Sequence, residues 1–422
     1  MKGINQLISY LVQSASLRMR LDIAYLLRGT FWGGFQQIFG VTGGLILSYL
    51  FGHFTSKQTF GEYNLVLSYL SMLTFFSLPG LDTALISSVG RGFDRSFVLA
   101  TKTKIKFSIL GSVVLLVIGV YFTIYRLPDL AVTIFLSALF FPFVNGFSNY
   151  PAFLTGKRKF RELALLSTGA SFFFLLLHAL GIVWLNTTFI LVLAYLLART
   201  FSDLTGFLYS RRYINSSDLD RELVGYGKFL SWLGILPWIS GHIGSITLAH
   251  MLGAEALAVY AVATRFLVAI QKNFVVFYKP VTAKLAKQMP YEHWSSLKTH
   301  WTKLLVLGIG LAAILYFLTP ALISFFFSER YQEAILYGRL LSMALIPMPL
   351  TWALTDVLVY QKKRQVQVVI SVIPHITKIV LYFIFIPKFG ILALVAILLL
   401  ERFTDPLIPL LAIVKDRHKN LK

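Results

Sequence analysis

Ile105-Lys-Phe-Ser-Ile-Leu-Gly-Ser-Val-Val-Leu-Leu-Val-Ile-Gly-Val-Tyr-Phe-Thr-Ile-Tyr-Arg126 carries charge only near its two ends, at Lys106 and Arg126. A helix of about 20 apolar residues crosses the hydrocarbon of a bilayer, so this stretch reads as a membrane span. The same pattern recurs on both sides of it. Twelve spans are expected, near 30–51, 63–89, 105–126, 129–154, 163–185, 187–210, 226–250, 254–281, 302–327, 333–360, 365–386 and 389–414. The connections are short and leave no room for an extramembrane domain. Of the 422 residues 57% are hydrophobic and 14% charged, with a mean hydropathy of +0.72. A soluble domain carries about 25% charged residues, so the expected class is an all-α integral membrane protein.

The net charge is +21, but the cations sit in small groups between apolar runs rather than in the dense patches that bind nucleic acid. No nucleic-acid partner is expected. One set of connections holds Arg91, Arg95, Lys102, Lys104 and Lys106, then Lys157, Arg158, Lys159 and Arg161. It continues with Arg211, Arg212, Arg221 and Lys228, then Lys279, Lys284, Lys287, Lys298 and Lys303, then Lys362, Lys363 and Arg364. Lys415, Arg417, Lys419 and Lys422 end the chain on the same side. The opposite connections offer Lys57, Arg126, Arg330 and Lys388. The positive-inside rule then places both termini in the cytoplasm, which requires an even number of spans. Residues 1–28 show no cleavable signal pattern, and Ile4, Leu7, Ile8, Leu11 and Val12 fall at the spacing of a short helix on the membrane surface. The chain has no cysteine, which excludes disulfides, thiolate metal sites and a cysteine nucleophile.

The sequence also repeats. Leu50-Phe51-Gly52 followed by Phe60-Gly61-Glu62-Tyr63 is similar to Met251-Leu252-Gly253 followed by Ala258-Val259-Tyr260. Leu154-Thr155-Gly156-Lys157-Arg158-Lys159 is similar to Val359-Tyr360-Gln361-Lys362-Lys363-Arg364. Both pairs occupy matching positions in the order of spans. Two six-helix halves of like orientation, related by a pseudo-two-fold axis along the membrane normal and enclosing a central cavity, are expected. The boundaries read as a 1–28 interfacial segment, lobes over 29–212 and 213–415, and a 416–422 cytoplasmic tail.

Two stretches carry a family resemblance. Phe60-Gly-Glu-Tyr-Asn-Leu-Val-Leu-Ser-Tyr-Leu70, running on to Leu78-Pro-Gly-Leu-Asp82, is similar to the second helix of polysaccharide flippases of the multidrug/oligosaccharidyl-lipid/polysaccharide exporter superfamily. Leu252-Gly-Ala-Glu-Ala-Leu-Ala-Val-Tyr-Ala-Val-Ala-Thr-Arg265 resembles their eighth helix, with Val259 where members often have glycine. The resemblance implies a two-lobed carrier, in the cell membrane of a bacterium, that exports undecaprenyl-pyrophosphate-linked oligosaccharide by alternating access. Its implied partners are that substrate, membrane lipids, a coupling ion (H+ or Na+) and other polysaccharide-assembly proteins. Cofactors are not expected.

A charge at mid-membrane costs roughly 2.5–3.5 kcal/mol on insertion scales and faces a cavity or a partner. Arg265 lies deep in its span, with Lys272 and Lys279 at seven-residue intervals on nearly the same face. Together they form a cationic ladder for a pyrophosphate. The alternatives are an acid partner for Arg265 and snorkelling for the two lysines. Lys378 has no acid within a helical turn and is a cavity candidate. Arg28 opens the first span, where the resemblance implies a functional cation and topology alone offers a plainer role. Glu401 and Asp405 share a helix face beside Arg402 and serve either ion coupling or as counter-charge to Arg265 or Lys378. Arg199 and Asp203 are spaced to pair with each other. Gln36, Gln37, Asn145 and Asn149 are candidate sugar contacts, or else polar packing. His178 and His242 read as hydrogen-bonded interior residues before proton relays. The Gly29/Gly33 and Gly40/Gly44 spacings fit close helix approach, and Pro79-Gly80 a bend. Asp82 and Asp356 receive no chemistry.

No GxxxxGK[S/T] or HExxH sequence occurs. Two other functions compete with the flippase. A cation-coupled multidrug antiporter needs a dominant acidic site in its cavity. A membrane-embedded glycosyltransferase or polymerase needs larger external loops than these. The chain is expected not to be an enzyme.

Overall fold

The computed structural model describes residues 23–285, 290–360 and 364–411, with side chains over 31–274, 299–355 and 368–411. The expected surface helix at Ile4–Val12 and the side chains of Arg28, Lys279 and Asp356 lie outside the described residues. The first half comprises α1 (Ile23–Phe54), α2 (Lys57–Leu73), α3 (Gly80–Gly90), α4 (Ser96–Ile124), α5 (Pro128–Gly146), α6 (Tyr150–Gly156), α7 (Phe160–Trp184) and α8 (Thr188–Ser210). The second comprises α9 (Leu223–Leu233), α10 (Ile235–Leu252), α11 (Ala254–Leu285), α12 (Pro290–Phe327), α13 (Glu333–Ser342), α14 (Met348–Tyr360), α15 (Arg364–Phe389) and α16 (Ile391–Thr404). Local chemistry sets several boundaries. Ser56 and Thr187 cap α2 and α8 by accepting from the amides of Thr59 and Ile190. Pro128 starts α5, where its missing N–H costs nothing. Gly253, at φ 89°, turns α10 into α11.

Among the described residues nine helices are long and apolar enough to cross a membrane, or eleven if two bent pairs each count as one span. The bent pairs are Lys57–Ser77 with Gly80–Gly90, at 47°, and Leu223–Leu233 with Ile235–Leu252, at 46°. The sequence expectation of twelve differs at the last element. There α16 ends at Thr404, Asp405 and Pro406 form a turn, and helix resumes at Leu407. A second difference concerns the third span, which starts at Ser96. Lys102, Lys104 and Lys106 are therefore helical rather than part of a loop, and Lys104 is buried against Asp82 at 2.8 and 3.0 Å. Exposed Phe31, Val117, Phe172, Phe317 and Phe383 form a surface that only hydrocarbon tolerates.

The packing of neighbours is similar in the two halves. In the first, α4 packs on α5, α1 on α7 and α7 on α8; in the second, α12 packs on α13, α10 on α15 and α15 on α16. The halves meet where their bends nest. Gly80 donates its N–H to Ser231 Oγ at 3.0 Å, and a Cβ there would stand 2.6 Å from the Gly227 carbonyl. The break that permits this contains Leu78 in the left-handed region at φ 58°, a conformation rare for a side-chain-bearing residue.

One end of the bundle gathers basic connections. Lys157 binds Asp94 at 2.6 Å, and Asp94 also accepts from the amides of Asn215 and Ser216. Asp220 accepts from Ser88 Oγ, Arg91 and the Glu222 amide, while its own amide donates to Ser96 Oγ. The link between the halves is thus clipped to the first half. Burial pushes the Asp220 carboxyl up, but its hydrogen bonds and Arg91 outweigh that and hold it below the usual carboxylate range. A carboxyl depressed in the folded state stabilises above its unfolded pKa of ~3.9 and loses that contribution as pH falls below it. This clip therefore holds at neutral pH.

The opposite end is sealed. Lys57 pairs with Glu333 at 2.6 Å, Ser328 Oγ donates to the Gly52 carbonyl at 3.1 Å, and Asn186 donates to the Phe54 carbonyl. A Cβ on Gly52 would strike the Phe326–Phe327 backbone, and one on Gly61 the Ala254 carbonyl. The expected close approach at Gly33, Gly40 and Gly44 is not seen. The first two have no atom within 4 Å of a Cβ position, and Gly44 has only the Arg265 guanidinium, at 3.9 Å. Gly61→Ala is expected to lower thermal stability in detergent by about 1–3 kcal/mol through overpacking. Gly33→Ala, into open space, should leave the melting temperature unchanged or slightly raised.

Candidate functional site

α1, α2, α10 and α11 surround a central cavity of about 400 Å³, within the ~300–1,000 Å³ usual for ligand sites. Its polar lining comes from Gln37 and Ser48 of α1, Asn64 and Ser68 of α2, Ser245 of α10, and Thr264, Arg265, Lys272 and Asn273 of α11. Among the described residues no aspartate or glutamate lines it. The sign of this cavity is positive.

Arg265 lies roughly 16 Å along α11 from Ala254 at ~1.5 Å per residue, and its side chain opens to the cavity. Its Nε donates to Ser48 Oγ at 3.0 Å and Nη2 to the Gly44 carbonyl at 3.2 Å. A guanidinium has five N–H donors, and the remaining ones have no acceptor among the described residues. Nor does any described carboxylate lie within ion-pair distance of Arg265. Lys272, two turns along the same helix, lines the same space and is exposed to it. Between them and the basic end, Gln37 and Asn273 hydrogen-bond across α1 and α11.

The other candidates lie elsewhere. Gln36 is not in the lining, though its neighbour Gln37 is. Asn145 is buried and donates to the Phe141 carbonyl at 3.0 Å. Asn149 is wholly buried and bonded to Thr101 Oγ1 at 3.0 Å. Neither faces the central cavity. Lys378, buried on α15, pairs with Glu401 Oε2 of α16 at 2.7 Å and lies over the Tyr382 ring, away from that cavity. Glu401 also faces His375 Nδ1 at 3.6 Å, and that nitrogen is 2.8 Å from Ser240 Oγ. Asp405 is 3.5 Å from Arg402, and both edge a smaller pocket with Gln271. Arg199 and Asp203 stand 3.3 Å apart. Arg199, with Asp82, Lys104 and Asn145, lines a second polar pocket. His178 is fully buried and hydrogen-bonded to Tyr63 Oη and the Phe174 carbonyl, both at 2.9 Å. Among the described residues no group of three or more His, Asp or Glu could hold a metal ion.

Sequence reasoning passed over Asn64, Ser68, Ser245, Thr264 and Asn273. Asn64 and Ser68 are one turn apart on a span whose other face carries buried Tyr63, Val66 and Leu70, a legible polar stripe. Ser245 and Thr264 have no such signal, since an isolated hydroxyl in a span satisfies itself on its own helix.

Residues 26–286, more than half of the chain, match the model of the polysaccharide biosynthesis protein family. No curated protein matches the sequence significantly. Similar solved structures include the lipid II flippase MurJ in an inward closed conformation, at 11% identity over 92% of this chain and 87% of that one, TM-score 0.65. A multidrug resistance MATE family transporter of the MOP superfamily, inward-facing, aligns at 13% identity over 90% and 95%, TM-score 0.62. A MOP superfamily transporter from Pyrococcus furiosus, described by the reverse polarity of its binding pocket, aligns at 14% identity over 94% and 95%, TM-score 0.56. At these identities the likeness is one of fold. The chain is a multi-pass membrane protein that belongs to the polysaccharide biosynthesis protein family and has the fold of the MOP-superfamily transporters.

Proposed function

We propose that this protein is a flippase carrying undecaprenyl-pyrophosphate-linked oligosaccharide from the cytoplasmic to the outer leaflet of a bacterial cell membrane. Its two six-helix lobes, 29–212 and 213–415, alternate access to the central cavity, with both termini cytoplasmic. The observation that carries this reading is a cavity with Arg265 and Lys272 on its wall and no carboxylate among the described lining residues. Such a site attracts a multiply charged anion and repels the cations that a drug antiporter would need to bind. One solved structure of like fold is a lipid II flippase, which is in keeping with this class.

Arg265 offers the pyrophosphate its unused guanidinium donors, in the fork geometry that matches phosphate oxygens. Lys272, nearer the basic end, meets the headgroup first as a point charge. Gln37, Asn64, Ser68, Ser245 and Asn273 supply donors and acceptors to sugar hydroxyls. The seal at the far end, Lys57 to Glu333 and Ser328 to Gly52, must break for release. Lys378 is assigned a supporting role, because Glu401 neutralises it outside the cavity.

Arg265→Ala, with normal membrane levels, is expected to cut surface polysaccharide about 10- to 100-fold in a flippase-deficient bacterium. That range follows from losing charge-assisted hydrogen bonds of ~1.5–3 kcal/mol. Full export by this variant would sink the cationic-site mechanism. The chain has no native cysteine, so Lys57→Cys with Glu333→Cys can be bridged by a short bis-methanethiosulfonate reagent, which joins the two thiols through reducible disulfides. Export should stop on bridging and return on reduction; export that continues while bridged would rule out opening at this end. Lys378→Met should cost about 3–5 kcal/mol of stability by stranding Glu401. Lys378→Met with Glu401→Leu should recover most of it and still export. A stable double variant that does not export would place the pair in the transport path.

A further inference from the structure

Arg339 has no carboxylate partner among the described residues, and it lies outside the cavity. α13 buries Ala334, Gly338 and Leu341 against its neighbours, while Leu336 is 59% and Met343 39% exposed on the opposite face. Arg339 belongs to that outward side. With Tyr316 of α12 and Gln332, Ile335, Leu336 and Met343 it lines a groove of about 420 Å³ on the lipid-facing surface. The guanidinium lies 5.2 Å from the centre of the Tyr316 ring, which orients it. Its Nε is buried and has no hydrogen-bond acceptor. Glu333, the acid of its own helix, is held by Lys57 at 2.6 Å.

We propose that this groove is a binding site for the phosphodiester headgroup of an anionic phospholipid, drawn from the leaflet opposite the basic connections. Side chains of a helix lean towards its N-terminus, and the N-terminus of α13 is at that end of the bundle. Arg339 sits about 9 Å along the helix from Glu333 at ~1.5 Å per residue, so its leaning side chain carries the guanidinium to the depth of the headgroups. The phosphate meets the terminal Nη groups of the guanidinium, since the Nε is buried, in the two-oxygen geometry that suits them. Gln332, at the mouth of the groove, meets the glycerol or headgroup hydroxyls. The acyl chains lie along Ile335, Leu336 and Met343 towards Phe317, which is 75% exposed. A bulk phospholipid is the occupant because the groove opens to the bilayer rather than to the central cavity, and mass action there favours the abundant lipid.

The test is native mass spectrometry of the full chain in detergent, titrated with phosphatidylglycerol and, separately, phosphatidylcholine. The wild type should retain phosphatidylglycerol preferentially, and Arg339→Gln should weaken that retention about tenfold, as loss of a charge-assisted contact implies. Tyr316→Leu should weaken it less. If Arg339→Gln is not recovered folded, Arg339→Lys is read instead; it keeps the charge, loses the fork and should still weaken binding. Equal retention by wild type and the variant read would overturn the site. Displacement of phosphatidylglycerol by equimolar undecaprenyl phosphate, in an Arg339-dependent manner, would overturn the choice of lipid.

Discussion

The cost of a charge in hydrocarbon, roughly 2.5–3.5 kcal/mol even on the mildest scales, makes the pairing of each cation deep in the described spans informative, and that cost falls towards the span ends where Arg339 reaches. Lys104, Arg199 and Lys378 each stand beside a carboxylate, supplied by Asp82, Asp203 and Glu401. They tie helix to helix or brace one helix, and their charge is spent locally. Arg265, Lys272 and Arg339 have no such partner among the described residues, and each borders open space, the first two at the cavity and the third at the outer groove. A cation that the fold keeps without neutralising it keeps its field for something else. In the proposed reading, that field serves an anion at both places.

The same helices explain why the cavity lies where it does. Along one side of the interface between the halves, α2 and α3 pack closely on α9 and α10, and the two bends nest through Gly80, Gly227 and Ser231. Along the other side α1 and α11 diverge, and Gly33, Gly40 and Gly43 of α1 face no neighbouring atom within 4 Å of a Cβ position. Polar contacts of Gln37 with Asn273 and of Arg265 with Gly44 and Ser48 cross this side, and close packing returns at the far end, where Gly52 of α1 and Gly61 of α2 admit opposing backbone. One tight seam, one loose seam and one sealed end leave a pocket that opens towards the basic connections. In the proposed reading the tight seam is the axis on which the halves rock.

Much of this was legible in one dimension because membrane spans are encoded by length and polarity alone. Eleven of the twelve apolar runs match candidate spans among the described residues, two of them as bent pairs, while the last, 389–414, is broken at Asp405 and Pro406; Pro79-Gly80 marks one of the bends. The matching bend at Gly234 was not seen, since a lone glycine in an apolar run signals little. The start of α4 was misjudged for a definite reason: Lys102, Lys104 and Lys106 look like loop cations until Asp82 of a neighbouring helix is known to neutralise the middle one. The seven-residue spacing put Arg265 and Lys272 on one helix face, and they do line one cavity. The direction in which Lys378, Asn145 and Asn149 face depends on helix rotation, which a sequence without homologues does not state. Arg339 was passed over because a cation near a span's end resembles any interfacial anchor; only its orphaned Nε and the surrounding groove distinguish it.

The size of the cavity adds a constraint that charge alone does not. At about 400 Å³ it can hold a pyrophosphate and part of a saccharide, but not a long polyprenyl chain as well. A lipid-linked substrate must then leave its tail in the bilayer while its head is bound, and that needs a side opening beside the cationic wall. The loose seam between α1 and α11 meets this requirement, for it flanks Arg265 and Lys272 and is bridged by the Gln37–Asn273 hydrogen bond rather than by packed apolar side chains. A free soluble anion would need no such seam. The divergence of α1 from α11 thus favours a lipid-anchored substrate over a soluble one, on grounds independent of the cavity's charge.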